Sequence, residues 1–493
     1  PQRVLSIRVL AVLAAAFAAI HAAAYLAGLR FSTDTLTWFM QILDPELLRH
    51  RLLESLFYLH MQPPLFNLFL GIGLKLGDTA APLFFQGAYL CLGFVTYATV
   101  YGLQRGIGVS RWLAFILSTA LIASPGFLLT EHWLFYPLPC AAFLILSSVC
   151  LWAWVRTEEP SALWAFFACL VVLAGIRTVF HLVWIGTIGV ALFAAFPRHR
   201  KRVALAGVVA LLLAAMPYAK NAVLFGEFTV CTWSEQHLWI KTVGNMNQEE
   251  RRRLHEEGIL TDVSRPGISR FEPMWRYDQK YLDVSGYEGI PALRELEKST
   301  GHANYNHLAR IAISNDYGRD ARYVLWHYPK TFVLTTVQSA LIYFKSNAAW
   351  ARETRNHERL WPWVWFYDTF VFGRLPFNLF APIESIARVV REQYIVLMIA
   401  LPAVFLVGVY AAVRGSFAGR TLTRAERLTI GYLAFNILFV GSLAVLFEVR
   451  ETPRMRFMTD PMSVVLLGFA LQGIIGYLRR RRRTDSDAES PAR

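Results

Sequence analysis

The chain has 493 residues, 55% of them hydrophobic and 14% aromatic, with a formal net charge of +14. Apolar runs of about 20 residues recur along it, each long enough to span a bilayer core, which excludes a soluble globular protein. No stretch alternates polar and apolar residues as a membrane β-barrel would, so the sequence predicts an all-α polytopic membrane protein of about 10–12 transmembrane helices, with juxtamembrane helices and a small domain on the exoplasmic side.

In chain order, the apolar runs predict helices at about 8–29, 81–103, 111–129, 134–155, 162–176, 178–196, 203–224, 394–413, 427–447 and 459–478. The first leads straight into an acidic insert and reads as an uncleaved helix rather than a signal peptide. Residues 1–225 thus form an N-terminal membrane module, interrupted at 30–80 by that insert, which carries Asp34, Asp44, Glu46 and His60-Met61-Gln62-Pro63-Pro64-Leu65. The stretch 64–76 is too short to cross and is expected to lie along the interface. Residues 226–330 read as a small, mostly helical exoplasmic domain, with a charged helix over 248–258 stopped by Gly258. The segment 331–393 predicts either interfacial helices or an extra hairpin crossing the bilayer, with Arg352, Arg355 and Arg359 between its two apolar stretches. Asp368, Arg374 and Pro376 favour the former. Residues 394–478 supply the C-terminal membrane helices, and 479–493 form a basic tail.

Basic residues sort these connections. Arg105 and Arg111, then Arg198, Arg200, Lys201 and Arg202, then Arg414, Arg420, Arg424 and Arg427 lie in three short links, and the positive-inside rule places these in the cytoplasm with Arg3, Arg8 and the Arg479–Arg483 run. That last run has no aromatic or glycine-rich companion, so it reads as a topology anchor on anionic lipid, and no nucleic-acid partner is expected. Span counting then places the insert, Glu131, Arg177, the 226–393 region and the turn from Glu448 to Thr459 together on the exoplasmic side. Four of the five cysteines fall in apolar runs and only Cys231 does not; no metal-ligand spacing or disulfide framework is present.

Each polar residue on that side has two readings. Asp34, in Ser32-Thr33-Asp34-Thr35, is an N-cap for a following helix or a carboxylate that accepts a proton from a nucleophile. His60 and Gln62 belong to a proline-started helix N-terminus, or are aimed by Pro63-Pro64 at the cavity of Asp34. Glu131 is an interface residue or a functional carboxylate at a helix end. Arg177 and Lys220 are snorkelling cations or phosphate partners. Glu451, Arg454 and Arg456 form a mutually satisfied cluster or a phosphate site at a helix start.

The order of these motifs resembles the C-type glycosyltransferases, the superfamily that includes protein O-mannosyltransferases and aminoarabinose transferases, over about residues 8–478. Asp34 matches the acidic residue after the first helix, although the usual Asp-Glu pair is here Asp34-Thr35. His60 to Leu65 is similar to the family's His-Pro-Pro-Leu segment, with Met61-Gln62 inserted. Lys220-Asn221 before Phe225-Gly226, and Glu451 to Arg456 with Pro461, are similar to its later signatures. The resemblance implies an enzyme of the plasma (inner) membrane whose C-terminus is cytoplasmic and whose site faces the exoplasm or periplasm. It would transfer a sugar from a polyprenyl-phosphate-linked donor to a lipid, glycan or protein acceptor, with inversion. Asp34 would be the base, and Glu131 a second catalytic residue that positions the sugar or acceptor. His60, Gln62, Arg177, Lys220, Asn221, Glu451, Arg454 and Arg456 would bind substrate. No protein metal site is read from the residues, and a divalent cation is the one cofactor the resemblance admits. A multi-spanning transporter or lipid flippase is the rival class; it would favour midplane sites and internal repeats.

Overall fold

A computed structural model describes residues 6–269, 272–350 and 354–488. Arg3 and Arg352, used above for sidedness, lie outside the described residues. The main helices are α1 (Ile7–Leu26), α2 (Pro64–Leu74), α3 (Ala80–Gly106), α4 (Arg111–Ala123), α5 (Pro125–Glu131), α6 (Pro137–Thr157), α7 (Pro160–Ile176), α8 (Leu182–Ala195), α9 (Arg200–Phe225), α10 (Glu235–Lys241), α11 (Ala309–His327), α12 (Pro329–Tyr343), α13 (Ile395–Arg414), α14 (Arg424–Phe447), α15 (Thr452–Phe457) and α16 (Asp460–Ala488). Among the described residues the only sheet is the two-stranded pairing of Ser416–Phe417 with Arg420–Thr421.

Seven helices are long and apolar enough to cross a membrane: α1, α3, α6, α9 with its leading turn, α13, α14 and the first part of α16. The chain is therefore an all-α protein with several candidate membrane spans. The remaining three of the ten expected spans differ in detail. The run 111–129 is not one helix: α4 and α5 meet at 58°. Pro125 cannot donate to the helix ladder, and its ring breaks the turn. The Ser124 hydroxyl takes over at the break, donating to Leu121 O at 2.7 Å and accepting from Phe127 N at 3.3 Å. Helices α7 and α8 have 17 and 14 residues, about 26 and 21 Å at 1.5 Å per residue, which is short of the hydrocarbon core.

Among its described residues the 331–393 region holds no helix long and apolar enough to cross a membrane. Helix α12 has 15 residues, and the aromatic stretch after it is a short helix, Trp361–Phe366, running into a π turn, Tyr367–Val371. Asp368 is buried at that turn and accepts from the Tyr394 hydroxyl at 3.1 Å.

The insert folds as short helices that lead to α2. Helix α2 buries Phe66, Leu70 and Leu74. Gly71 faces Leu52 so closely that a Cβ there would lie 2.3 Å from a Leu52 methyl. The block after α9 starts from Gly226, whose φ of +73° closes that helix in the left-handed conformation glycine tolerates. Its charged helix runs Gln248–Glu256, with Gly258 at φ +74° just beyond. The block has its own apolar core, built on Trp239, Leu254, Met274, Ile313 and Tyr317. It is nevertheless stitched to the insert: Lys298 Nζ donates to Phe39 O at 2.8 Å, and Ser299 N and Oγ donate to Asp44 at 2.8 and 2.5 Å. Burial lowers the Lys298 ammonium to about 7, against a weaker upward pull from Asp44.

One end of the helix bundle carries the basic links. Arg105 donates to Val109 O, Arg420 to Ile107 O and Arg427 to Ala412 O. The C-terminal ends of α1, α5, α7, α9 and α14 and the start of α6 meet at the other end, under the insert and the 226–330 block.

Candidate functional site

At that second end, Arg177 follows α7 and Arg454 lies on α15. Both are buried, at 5% and 2% exposure, and both guanidinium groups lie against the Tyr136 ring, 4.5 and 5.4 Å from its centroid. Between them is Glu448, the residue after α14 and also buried. It lies 4.0 Å from Arg177 Nη2, 3.8 Å from Arg454 Nη2 and 3.6 Å from His237 Nδ1. At these separations one carboxylate is shared among three cationic or titratable groups. Arg454 also bonds Glu451, and Arg177 donates to Gln62 Oε1 at 3.2 Å.

The Tyr136 hydroxyl is buried and has no hydrogen-bond partner among the described residues. Burial pushes it up to about 12, against the opposing pull of the two arginines, so it stays protonated. A hydroxyl donor is thus left without an acceptor where two buried guanidinium groups stack on the same ring. Beside this cluster opens a cavity of about 520 Å³, lined on its polar side by Gln62, Arg177, His181, His237 and Glu448 and on its apolar side by Val179, Leu443, Phe447 and Met455.

Asp34 lies elsewhere on the same end. Its Oδ1 accepts from the Ser32 hydroxyl at 2.7 Å and the Trp133 indole at 3.0 Å, and its Oδ2 from the Trp38 indole at 3.3 Å. It precedes the helix Thr35–Trp38 but makes no side-chain cap to it, which disposes of the N-cap explanation. A short parallel bridge aligns the two segments: Ser32 N donates to His132 O, and Leu134 N to Ser32 O. Trp133, Phe135 and Tyr136 then run ring to ring, at 4.9 and 4.2 Å, from Asp34 towards Arg454.

Other expected site residues are turned away from this cavity. Glu131 is 1% exposed and pairs with His21 Nε2 at 2.5 Å. It fits because Gly93 has no side chain; a Cβ there would lie 1.6 Å from Glu131 Oε1. The structure brings it to α1 and α3, not to Asp34. Arg456 diverges from Arg454, because residues two apart on a helix point to nearly opposite sides. It bonds Tyr343 O, Asn347 Oδ1 at 2.9 Å and Asp460 Oδ1 at 3.2 Å. It thus closes the polar end of a separate apolar cavity of about 270 Å³ between α4, α13 and α16. Lys220 donates to Leu59 O, and Asn221 Nδ2 to Thr229 O at 2.6 Å, so both tie loops to the end of α9.

His60 is fully buried. The Asn306 carbonyl at 2.9 Å can only accept, so His60 Nε2 is the protonated nitrogen and Nδ1 accepts from the Thr232 hydroxyl at 2.7 Å. Both ring nitrogens are taken up in joining the insert to the 226–330 block. Burial lowers its pKa from 6.5 to about 3, outweighing the Asn306 hydrogen bond. The folded protein therefore holds this ring neutral where the unfolded chain binds a proton. Its contribution is complete above pH 6.5 and is lost as pH falls towards 3, with about 2 kcal/mol gone by pH 5. Thermal unfolding of His60→Gln between pH 7 and 5 is expected to show lower stability at pH 7 and a shallower acid slope than the parent; equal slopes would remove His60 from that role.

Sequence reasoning missed Glu448, Tyr136 and His237. A carboxylate immediately after an apolar helix was the available signal for Glu448; nothing local marked the other two. Among the described residues no three His, Cys, Asp or Glu side chains converge as a cation site would require. The residues present do not fit a divalent cation, and none enters the chemistry below. Comparison of the chain with protein-family models, curated proteins and solved structures gives no match.

Proposed function

We propose that the protein is a membrane glycosyltransferase that moves a sugar from a polyprenyl-phosphate-linked donor to a lipid, glycan or protein acceptor. The observation that supports this most is the pair of buried guanidinium groups, Arg177 and Arg454, stacked on the ring of Tyr136, whose hydroxyl is unpartnered, next to a cavity that Arg177 lines and that has one apolar wall. Phosphate departure requires fixed positive charge and donors where negative charge develops, and an isoprenoid chain requires an apolar wall. In the transfer step the acceptor hydroxyl oxygen bonds to the anomeric carbon as the bond from that carbon to the phosphate oxygen breaks. The electron pair stays on the departing phosphate oxygen, whose negative charge Arg177, Arg454 and the Tyr136 hydroxyl stabilise. The hydroxyl proton passes to Asp34, and the anomeric centre inverts. Charge asymmetry between the two bundle ends supports a plasma (inner) membrane orientation with the basic end and C-terminus cytoplasmic and the site exoplasmic or periplasmic. In that orientation α2 lies at the exoplasmic interface and the 226–330 block covers the site.

One feature favours a lipid transporter instead: the broken pair α4–α5 beside the apolar cavity of Arg456, since broken helices line transport sites. The two part company in reconstituted protein given a short-chain polyprenyl-phosphate sugar. Release of polyprenyl phosphate is expected, with kcat/KM lowered about 10²-fold in Arg177→Gln or Arg454→Gln and about tenfold in Tyr136→Phe. Lipid movement across vesicles with no release from any such donor would replace the transferase by the transporter.

A further inference from the structure

The turn from Glu448 to Pro453 has two faces. One presents Glu448 to the cavity described above. The other presents Arg450 and Pro453 to a different hollow of about 420 Å³, which Lys345, Arg388, Arg391 and Glu392 complete. Its charge is lopsided. Glu392 is held by Arg374 at 2.7 Å, and Arg388 is engaged with Glu384. Lys345, Arg391 and Arg450 make no ion pair with any acidic side chain among the described residues, and no acceptor meets their charged ends. Lys345 is not a freely solvated surface cation. It is partly buried just past the end of α12, and that burial lowers its pKa, with Arg391 adding to the effect against the pull of Glu392.

Three like charges around one hollow repel one another, and a partly buried ammonium without an acceptor is unfavourable, so the free site is electrostatically strained. A doubly charged anion relieves both conditions, through charge-assisted hydrogen bonds from two guanidinium groups and one ammonium. The hollow exceeds the volume of a bare ion and has apolar surface from Pro453, which suits a charged group carried on an organic body. We propose that this hollow is a second anion-binding site, which takes a phosphoryl group through Lys345, Arg391 and Arg450. It does not depend on the transferase proposal, because none of these residues lines the cavity beside Arg177.

The test uses the full chain in phosphatidylcholine nanodiscs, titrated with inorganic pyrophosphate by calorimetry. Arg391→Gln/Arg450→Gln is expected to weaken binding about tenfold or more. Both positions are exposed, so folding should survive. Glu392→Gln is expected to tighten binding about threefold by removing a nearby negative charge, a gain that misfolding would not imitate. Arg319→Gln, an exposed cation outside the lining of the hollow, should leave it unchanged. Absence of binding in the parent overturns the site. So does equal loss in Arg319→Gln, or loss in Arg177→Gln with retention in the double variant. Repeating the titration in phosphatidylglycerol nanodiscs identifies the source. If anionic lipid weakens pyrophosphate binding in the parent but not in the double variant, the group belongs to a lipid headgroup; if affinity is unchanged, it arrives from solution. Either result sustains the site.

Discussion

Asp34→Asn is expected to reduce sugar transfer by about 10²–10⁴-fold, the range that a positioned general base supplies, with little change in fold. The amide keeps an oxygen for the Trp133 indole at 3.0 Å and the Ser32 hydroxyl at 2.7 Å. What it loses is the basic lone pair that takes the acceptor proton. Three donors hold the carboxylate in one orientation, and this is the pre-organisation a base needs. The measurement is a paired one: initial rate of polyprenyl-phosphate release, and thermal unfolding midpoint, for parent and variant. A normally folded variant with the parent's rate would take the base role from Asp34. A variant with lost rate and unchanged midpoint would support it. Trp133→Phe removes one of the three donors and should reduce the rate less, by about tenfold, with donor KM unchanged.

Glu448→Gln is expected to have two effects of opposite sign. The parent carboxylate is the shared counter-ion of Arg177, Arg454 and His237, at 4.0, 3.8 and 3.6 Å. Its side chain is 6% exposed, and those of the two arginines 7% and 2%. Removing one charge from such a buried group leaves the others undercompensated, at about 3–5 kcal/mol of stability. Glu451→Gln should have a smaller effect, because that side chain is 19% exposed and water can take its place. The same Glu448 change removes the anion that competes with phosphate for both guanidinium groups. A phosphate-bearing donor analogue should therefore bind Glu448→Gln more tightly than the parent and raise its unfolding midpoint by more. A variant as stable as the parent would show that Glu448 is not the counter-ion. A destabilised variant with weakened analogue binding would place the donor phosphate elsewhere.

The helix ends were legible because they depend on residues close in sequence: Gly226 closes α9 and Gly258 follows the charged helix. The break at Pro125 between α4 and α5 was not anticipated, because the apolar run continues through it and hydropathy does not register a missing N–H donor. For the candidate site, the sequence gathered the polar residues at one end of the bundle but did not identify their partners. Arg454 and Arg456 look like one cluster in the sequence; the helical turn between them sends the first to Glu448 and the second to Asp460. His60 looks like a binding residue beside two prolines; its partners Thr232 and Asn306, which make it a structural tie, lie 172 and 246 residues away.

By itself the sequence determined an all-α chain with several apolar helices long enough to span a membrane, and the segregation of basic links from acidic segments. These follow from local composition, which each stretch of chain carries without reference to the rest. The tertiary structure decided which charges meet. Glu131 belongs to His21 and not to Asp34 because Gly93 leaves room for it there. Glu448, rather than Glu451 alone, neutralises the two buried arginines because the ends of α7 and α14 meet α15 at the same place. Pairings between groups hundreds of residues apart are set by packing, and the low dielectric of a buried site gives them a large energetic weight.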